Sequence, residues 1–449
     1  MTKEFFEKIY EAAETEAKNC GAEYCEVYYV GAESISANTF RDELAGFSAD
    51  CDGSLIVRVS VGGKAGAAQG SLATPEEAAL LVKKAAENAG LIEKEEEAVF
   101  CAGGQSYQAA FFSAFSLPSA AEVDVTALAL RHAAYASSPE ISDGTEGGAY
   151  ASKSEYYLYS SNGLRLSVSY GACGGGVYSV LERNGEKRDG YESAAKPFDE
   201  LDAAGMAKTA TERAAERFGA GLVDTGNYPV VLEGKQMQQI LSAFIPVFFA
   251  KEAQQGTSLL AGKEGEKIAA DFLSLIDDPF YPGNPMPLPF DGEGTPTYKK
   301  AVIEKGVLQT LLYNLESGKK AGKPSTGNGS RGASSIGTTY YNLYIEPGDK
   351  SREELFSMAE RGIFITGMKG FHAGANVVSG DFSIESEGFL IENGKKGRPV
   401  KSFTVSGNFF SLLKNVAALG NSIEDAALSI EQTNANNHYK DSLRTRELG

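Results

Sequence analysis

The chain has 449 residues, 42% of them apolar and 23% charged, and 42 Lys and Arg against 60 Asp and Glu give a net charge of −18. That length exceeds one ordinary core, so two domains are expected, and an acidic surface repels phosphate and argues against direct contact with DNA or RNA. No run approaches the roughly 20 apolar residues of a membrane span, and the charged helical start lacks the apolar stretch of a signal peptide, which makes the cytoplasm the expected location.

Apolar Phe5, Ile9, Ala12, Ala13 and Ala17 at helical spacing predict a helix over 4–18 that ends near Asn19–Gly21. Strands are expected at 24–30, 34–41 and 44–48. A hairpin follows, formed by 54–61 and 64–69 around Gly62–Gly63. Thr74-Pro75-Glu76-Glu77 is a helix start, with a capping hydroxyl, proline in the first turn and acids behind it. Residues 91–118 read as irregular and open on the acidic run Glu93–Glu97, a solvated surface segment. A helix over 122–136 precedes strands at 155–161 and 164–170, joined at Asn162–Gly163, and a third strand runs up to Asn184–Gly185. An amphipathic helix over 198–217 leads to the expected domain boundary at 219–226.

The second half opens with a strand at 228–232 and a helix from about Lys235. Pro279, Pro282, Pro285, Pro287 and Pro289 stiffen the loop that follows. A second hairpin turns at Lys305, small residues fill 317–337, and strands are expected at 338–346, 362–366, 383–391 and 399–405, with a helix at 351–359. No regular βαβ alternation is present. The fold class expected is therefore α+β: an N-terminal domain (1–220) mixing helices with antiparallel strands, and a C-terminal domain (226–449), mainly antiparallel β, barrel- or sandwich-like, with a few helices.

Chemistry is bounded by the histidine count. His132, His372 and His438 are the three in the chain, and no two lie within a helical turn, so an HExxH or HExxxH zinc site is excluded. His132 is expected on a helix surface, His372 in a glycine-rich loop and His438 in a polar tail. Cys20, Cys25, Cys51, Cys101 and Cys173 are odd in number and lack a CxxC, which fits reduced thiols. Gly174–Gly176 and the 325–331 stretch lack the lysine and helix start of a phosphate loop, and no GxSxG elbow occurs. Glu385 and Glu387 share one face of a strand, as surface residues do.

Several segments resemble one family. YPVVLEGKQMQQIL (228–241), GTSLLAGKEGEKI (256–268), DGEGTPTYKKAVIEKGVLQTLLYNLESGKKAGKPSTGNGSR (291–331), GFHAGANVVSGDFSIESEGFLIENGK (370–395) and PVKSFTVSGNFFSLLKNVAALGN (399–421) are similar, in order and spacing, to the peptidase domain of TldD/PmbA proteins, also called modulators of DNA gyrase. The first half fits more loosely, through 38–59 and 160–179.

TldD-like members carry HExxxH on the helix after the VVL strand, and a cysteine near the C-terminus completes the zinc site. The motif makes chemical sense: two imidazoles on one side of a helix hold the metal, and the glutamate activates its water. Here the motif falls on Ser242, Ala243 and Val247, and no cysteine follows Cys173. The surrounding run, 240–249, is almost wholly apolar and reads as a buried helix interrupted near Pro246.

The resemblance is to the PmbA (TldE) branch. It implies a chain with no metal and no cofactor of its own, without catalytic residues and inactive alone. Such a chain would pair with a TldD-like zinc-bearing subunit, line a cleft for extended peptides, and contact neither nucleic acid nor membrane. A stand-alone homodimer that binds peptides or scaffolds is the alternative. Asn328, Arg331 and His372 are the candidate substrate contacts, being the polar members of the glycine-rich segments 325–337 and 367–380.

Overall fold

In the computed structural model all residues are described except 42, 94–97, 109–114, 283, 285, 333–334, 423–426 and 437–449, with 427–436 described at the backbone alone. His438 and most of the acidic run, residues 94–97, therefore lie outside the described residues. The chain forms two compact units: Met1–Glu216 with Pro279–Tyr298 and Tyr313–Thr339, and Arg217–Asp278 with Lys299–Leu312 and Tyr340–Gly449. Two segments of the C-terminal half thus belong to the first unit.

The first unit starts with α1 (Lys3–Asn19), capped by the Thr2 hydroxyl, which accepts from the Phe5 N–H. Strands β1 (Tyr24–Phe40), β2 (Glu43–Val61) and β3 (Lys64–Gly70) precede α2 (Pro75–Gly90), whose cap is Thr74. Then come α3 (Ala120–Ser137), β4 (Glu146–Ser160), β5 (Arg165–Arg183), β6 (Glu186–Ala194) and α4 (Ala203–Ala215). The strands form one antiparallel sheet, β3-β2-β1-β4-β5-β6.

β1, β2 and β5 are longer than the alternation suggests. The segments 24–30 and 34–41 are one strand, and so are 164–170 and the stretch up to Asn184. Exposed Glu33 and Ser34 and the glycines at 174–176 break the sequence pattern, while the register with neighbouring strands runs straight through them. The Asn184–Gly185 turn has positive φ at both residues, 53° and 80°, as a tight hairpin demands.

Opposite edges of this sheet carry helices seated on glycine. A Cβ at Gly66 of β3 would overlap the Ala85 carbonyl of α2, and one at Gly190 of β6 would overlap the Ala210 carbonyl of α4. Side-chain atoms there cannot be relieved by a rotamer change, because the obstruction is backbone. Gly190→Ala is expected to cost about 1–3 kcal/mol in urea unfolding; an unchanged midpoint would show that α4 shifts freely. Under α1 and α2 lies a core of Phe6, Ile9, Tyr10, Val27, Leu55, Val57, Leu81, Val82, Tyr157 and Tyr159. On the other face Tyr28, Ile56, Leu158, Val168 and Tyr170 pack with Cys101 and with Phe290 from the proline-rich segment.

The second unit contains β7 (Gly226–Leu232), α5 (Gly234–Phe244), a 3₁₀ turn at Ile245–Phe248, α6 (Ala250–Gln254), β8 (Leu275–Asp277), β9 (Lys300–Glu304) and β10 (Val307–Leu308). The chain then returns to the first unit with α7 (Leu315–Ala321), β11 (Gly329–Arg331) and β12 (Ile336–Thr338). Back in the second unit follow β13 (Leu343–Ile345), α8 (Arg352–Ala359), β14 (Gly362–Lys369), α9 (Phe371–Gly374), β15 (Asp381–Glu392), β16 (Lys395–Asn408), α10 (Phe409–Asn415), β17 (Val416–Leu419) and β18 (Ala427–Asn436). Its sheets are β10-β9-β8-β13 and β16-β15-β14-β7-β18-β17, with β18 also pairing onto β16.

Among the described residues all pairings between these strands are antiparallel except β7 with β14, so the fold class is α+β, as the irregular order of strands and helices predicts. All five cysteines are free thiols. Among the described residues no helix is long and apolar enough to cross a membrane.

Candidate functional site

In the second unit the sequence directs attention to α5. β7 delivers the chain into it, and the Gln236 amide, buried, donates to the Thr366 carbonyl of β14 at 2.9 Å, which fixes the helix against the sheet. Ile240, Leu241 and Phe244 point inward. Phe244 stacks on Phe409 of α10, ring centroids 4.7 Å apart and planes within 10°, and Phe248 meets the same ring edge-on at 6.3 Å.

Regular helix ends at Phe244, and Pro246 sits inside the following 3₁₀ turn, the interruption expected from sequence. Ser242 is exposed, Ala243 is half-buried, and Val247 is fully buried beyond the helix end. These residues do not fit a zinc ion. Ser242 alone offers a lone pair, and it faces solvent; the position that would supply the second imidazole is a core aliphatic. Among the described residues no group of three His, Cys, Asp or Glu side chains is placed to hold a metal.

α5 packs beside α9, and an open depression of about 560 Å³ is lined by Ala373–Val377 and Asp381–Ser383, from α9, the residues just after it and the start of β15. Exposed His372 is the second residue of α9, one residue before this lining. His132 is exposed on α3, and Glu385 is exposed on β15 while Glu387 pairs with Arg217 at 3.3 Å.

Asn328 and Arg331 lie in the first unit, and both are buried. The Asn328 amide donates to the Thr339 carbonyl at 2.9 Å and its oxygen accepts from the Thr326 hydroxyl at 2.7 Å, which ties the two ends of the β11–β12 hairpin together. Arg331 enters a buried charge cluster. Its Nη1 donates to Glu26 of β1 at 2.6 Å and its Nε to the Gly292 carbonyl at 2.8 Å. Arg58 of β2 approaches the same Glu26 oxygen at 3.6 Å, and the Tyr24 hydroxyl donates to the other at 2.8 Å. Burial alone would raise the Glu26 carboxyl, but the Arg331 and Arg58 charges with the bonds from Arg331 and Tyr24 outweigh it and hold it below the usual range.

Two more carboxylates face this group. Asp291 accepts from the N–H groups of Glu293 and Thr295 at 2.9 Å and of Gly329 at 2.7 Å. Glu293 accepts from the Leu315 N–H at 2.8 Å. Both converge on Gly329, where a Cβ would stand 2.6 Å from Glu293 Oε2 and 2.9 Å from Asp291 Oδ2, so the site needs glycine. Glu26, Arg58, Asp291 and Glu293 were not singled out by the sequence reading. The one local signal was the Asp-Gly-Glu-Gly turn at 291–294.

A family model described as the PmbA/TldA metallopeptidase C-terminal domain matches residues 225–439, and one described as the central domain matches 114–218. The chain belongs to the PmbA/TldD family. It is 28% identical over 417 residues to the metalloprotease PmbA homolog of Haemophilus influenzae, spanning 89% of this chain and 88% of that protein. A Thermotoga maritima structure named a putative modulator of a DNA gyrase superposes with TM-score 0.86 at 28% identity, over 96% of this chain and 100% of the other. TldE from Thermococcus kodakarensis shares the fold, with TM-score 0.84 at 22% identity, over 94% and 99% of the two chains.

Proposed function

We propose that this PmbA/TldD-family chain is the non-catalytic, metal-free subunit of a TldD/PmbA-type zinc peptidase complex in the cytoplasm, and that it helps to form the cleft for extended peptides. The observation that carries the reading is α5: Ser242, Ala243 and Val247 supply neither ligands nor a general base, and the helix stops before Val247. The partner in this reading is a TldD-like chain bearing the zinc. His372, exposed beside the depression at α9, is the substrate contact to test first. Asn328 and Arg331 serve peptide binding by holding the β11–β12 hairpin in place. Extended backbone docks by main-chain hydrogen bonds, which tolerate varied sequences.

The test is reconstitution. The pure chain is expected to contain no stoichiometric zinc and to leave an unfolded peptide substrate intact. Mixed with a TldD-like chain it is expected to form a complex of higher native mass and to give chelator-sensitive cleavage. Stoichiometric zinc in the pure chain, or cleavage that survives chelator, overturns the reading. Self-association with no binding to a TldD-like chain would favour a homodimeric scaffold instead.

A further inference from the structure

The buried cluster of the first unit gathers three carboxylates, Glu26, Asp291 and Glu293, around two guanidinium groups, Arg58 and Arg331. The other titratable groups facing it are Tyr24 and Tyr28 of β1, Cys101 and Tyr107. Burial pushes all four upward, the Cys101 thiol to about 12, so they are neutral at ordinary pH. With all three carboxyls ionised the cluster carries a net negative charge in a water-poor site, which is costly. With one protonated it is neutral.

Hydrogen bonding selects which one. Glu26 is bound by Arg331 and Tyr24, and Asp291 accepts three backbone N–H groups, the pattern that favours a charged carboxylate. Glu293 accepts one, from Leu315.

We propose that Glu293 is a neutral carboxylic acid at neutral pH and acts as a pH-sensitive clip: its ionisation loosens segments 279–298 and 313–339 from the face of the N-terminal sheet. The clip sits where those segments meet the sheet. Arg331 reaches Glu26, Glu293 meets the first turn of α7, and Cys101 and Tyr107 both donate to the Gly294 carbonyl, at 3.2 and 2.8 Å. Burial first, and then the Asp291 charge, push the Glu293 carboxyl upward; Asp291 is also raised, by burial, against the pull of its backbone bonds. Arg331 Nη2 is buried without a hydrogen-bond partner, a donor that an ionised Glu293 can compete for. Because the folded-state value lies above the unfolded one, the stability Glu293 contributes is complete below the ordinary carboxylate range and is lost as pH rises through its folded value.

Amide hydrogen exchange of wild type and E293Q, read in peptides covering Leu315 and Gly329 and corrected for intrinsic base catalysis, tests this. Glutamine has the shape of the neutral acid. Wild type is expected to lose protection by about tenfold per pH unit once within the titration window, and E293Q to keep it. Two outcomes overturn the clip: parallel pH profiles in the two proteins, or equal loss of protection in E293Q at acid and alkaline pH. If E293Q does not fold, the wild-type profile alone decides, because pH-independent protection of 279–298 and 313–339 also overturns it. The inference does not depend on the proposed peptidase role.

Discussion

Arg331→Met is expected to lower stability by about 3–5 kcal/mol, the range for breaking a buried ion pair by removing one partner. Methionine keeps most of the volume, so the loss is electrostatic. Glu26 is 1% exposed and remains with Arg58 at 3.6 Å and the Tyr24 hydroxyl, while Asp291 and Glu293 lose one of the two cations of the cluster.

The deficit should depend on pH with a definite sign. In the wild type the Glu26 carboxyl is held low, so its contribution is present above the ordinary carboxylate range and fades as pH falls through its folded value. Without Arg331 that contribution shrinks to what Arg58 and Tyr24 supply. The difference between variant and wild type is therefore largest near neutrality and shrinks on acidification. Urea unfolding at neutral and acidic pH measures it, and E26Q combined with R331M should recover part of the loss. A cost under about 1 kcal/mol at neutral pH would show that the pair is solvated.

This cluster marks where sequence reading stops. Local signals travelled well. Thr2 and Thr74 cap the helices their positions imply, and Lys305–Gly306 takes positive φ at both residues in the second hairpin. Each rests on a few neighbouring residues, which is why it is legible. Glu26 and Arg331 are 305 residues apart. In sequence, a glutamate between Cys25 and Val27 reads as the outward face of a half-buried strand, because nothing nearby says that segments from the C-terminal half will cover it.

The same limit shortened the long strands. Exposed Glu33 and Ser34 end an apolar alternation without ending the ladder of backbone bonds that continues to Phe40. Gly174–Gly176 interrupt the apolar alternation, whereas Gly174 and Gly175 are buried within an unbroken β5 and would meet backbone on gaining a Cβ. The resemblance located α5, and its apolar filling was legible from composition. That Ser242 faces solvent while Val247 is enclosed is not legible from periodicity, which fails where helix gives way to a 3₁₀ turn.

Installing an HExxxH motif at α5 should not create a zinc site. S242H alone changes an exposed residue and is expected to shift stability by no more than about 0.5 kcal/mol. V247H places an imidazole where the side chain is 0% exposed, in a run with buried Phe244, Ile245 and Phe248. An unpaired buried polar group costs about 1–3 kcal/mol, and the added volume costs about 1–3 kcal/mol more in a filled core. The combined loss is roughly 2–6 kcal/mol.

Zinc could offset that only if both imidazoles reached one ion, and the backbone opposes it. HExxxH depends on regular helix through its second histidine, whereas here the helix ends at Phe244 and Pro246 sits in the next turn. The S242H/A243E/V247H variant is therefore expected to bind no stoichiometric zinc and to unfold earlier than wild type with or without metal. Elemental analysis after dialysis and thermal unfolding with added zinc check this. One bound zinc per chain together with a metal-dependent rise in Tm would mean that the helix can extend through Pro246, and that side chains alone, rather than the backbone that carries them, keep zinc from α5.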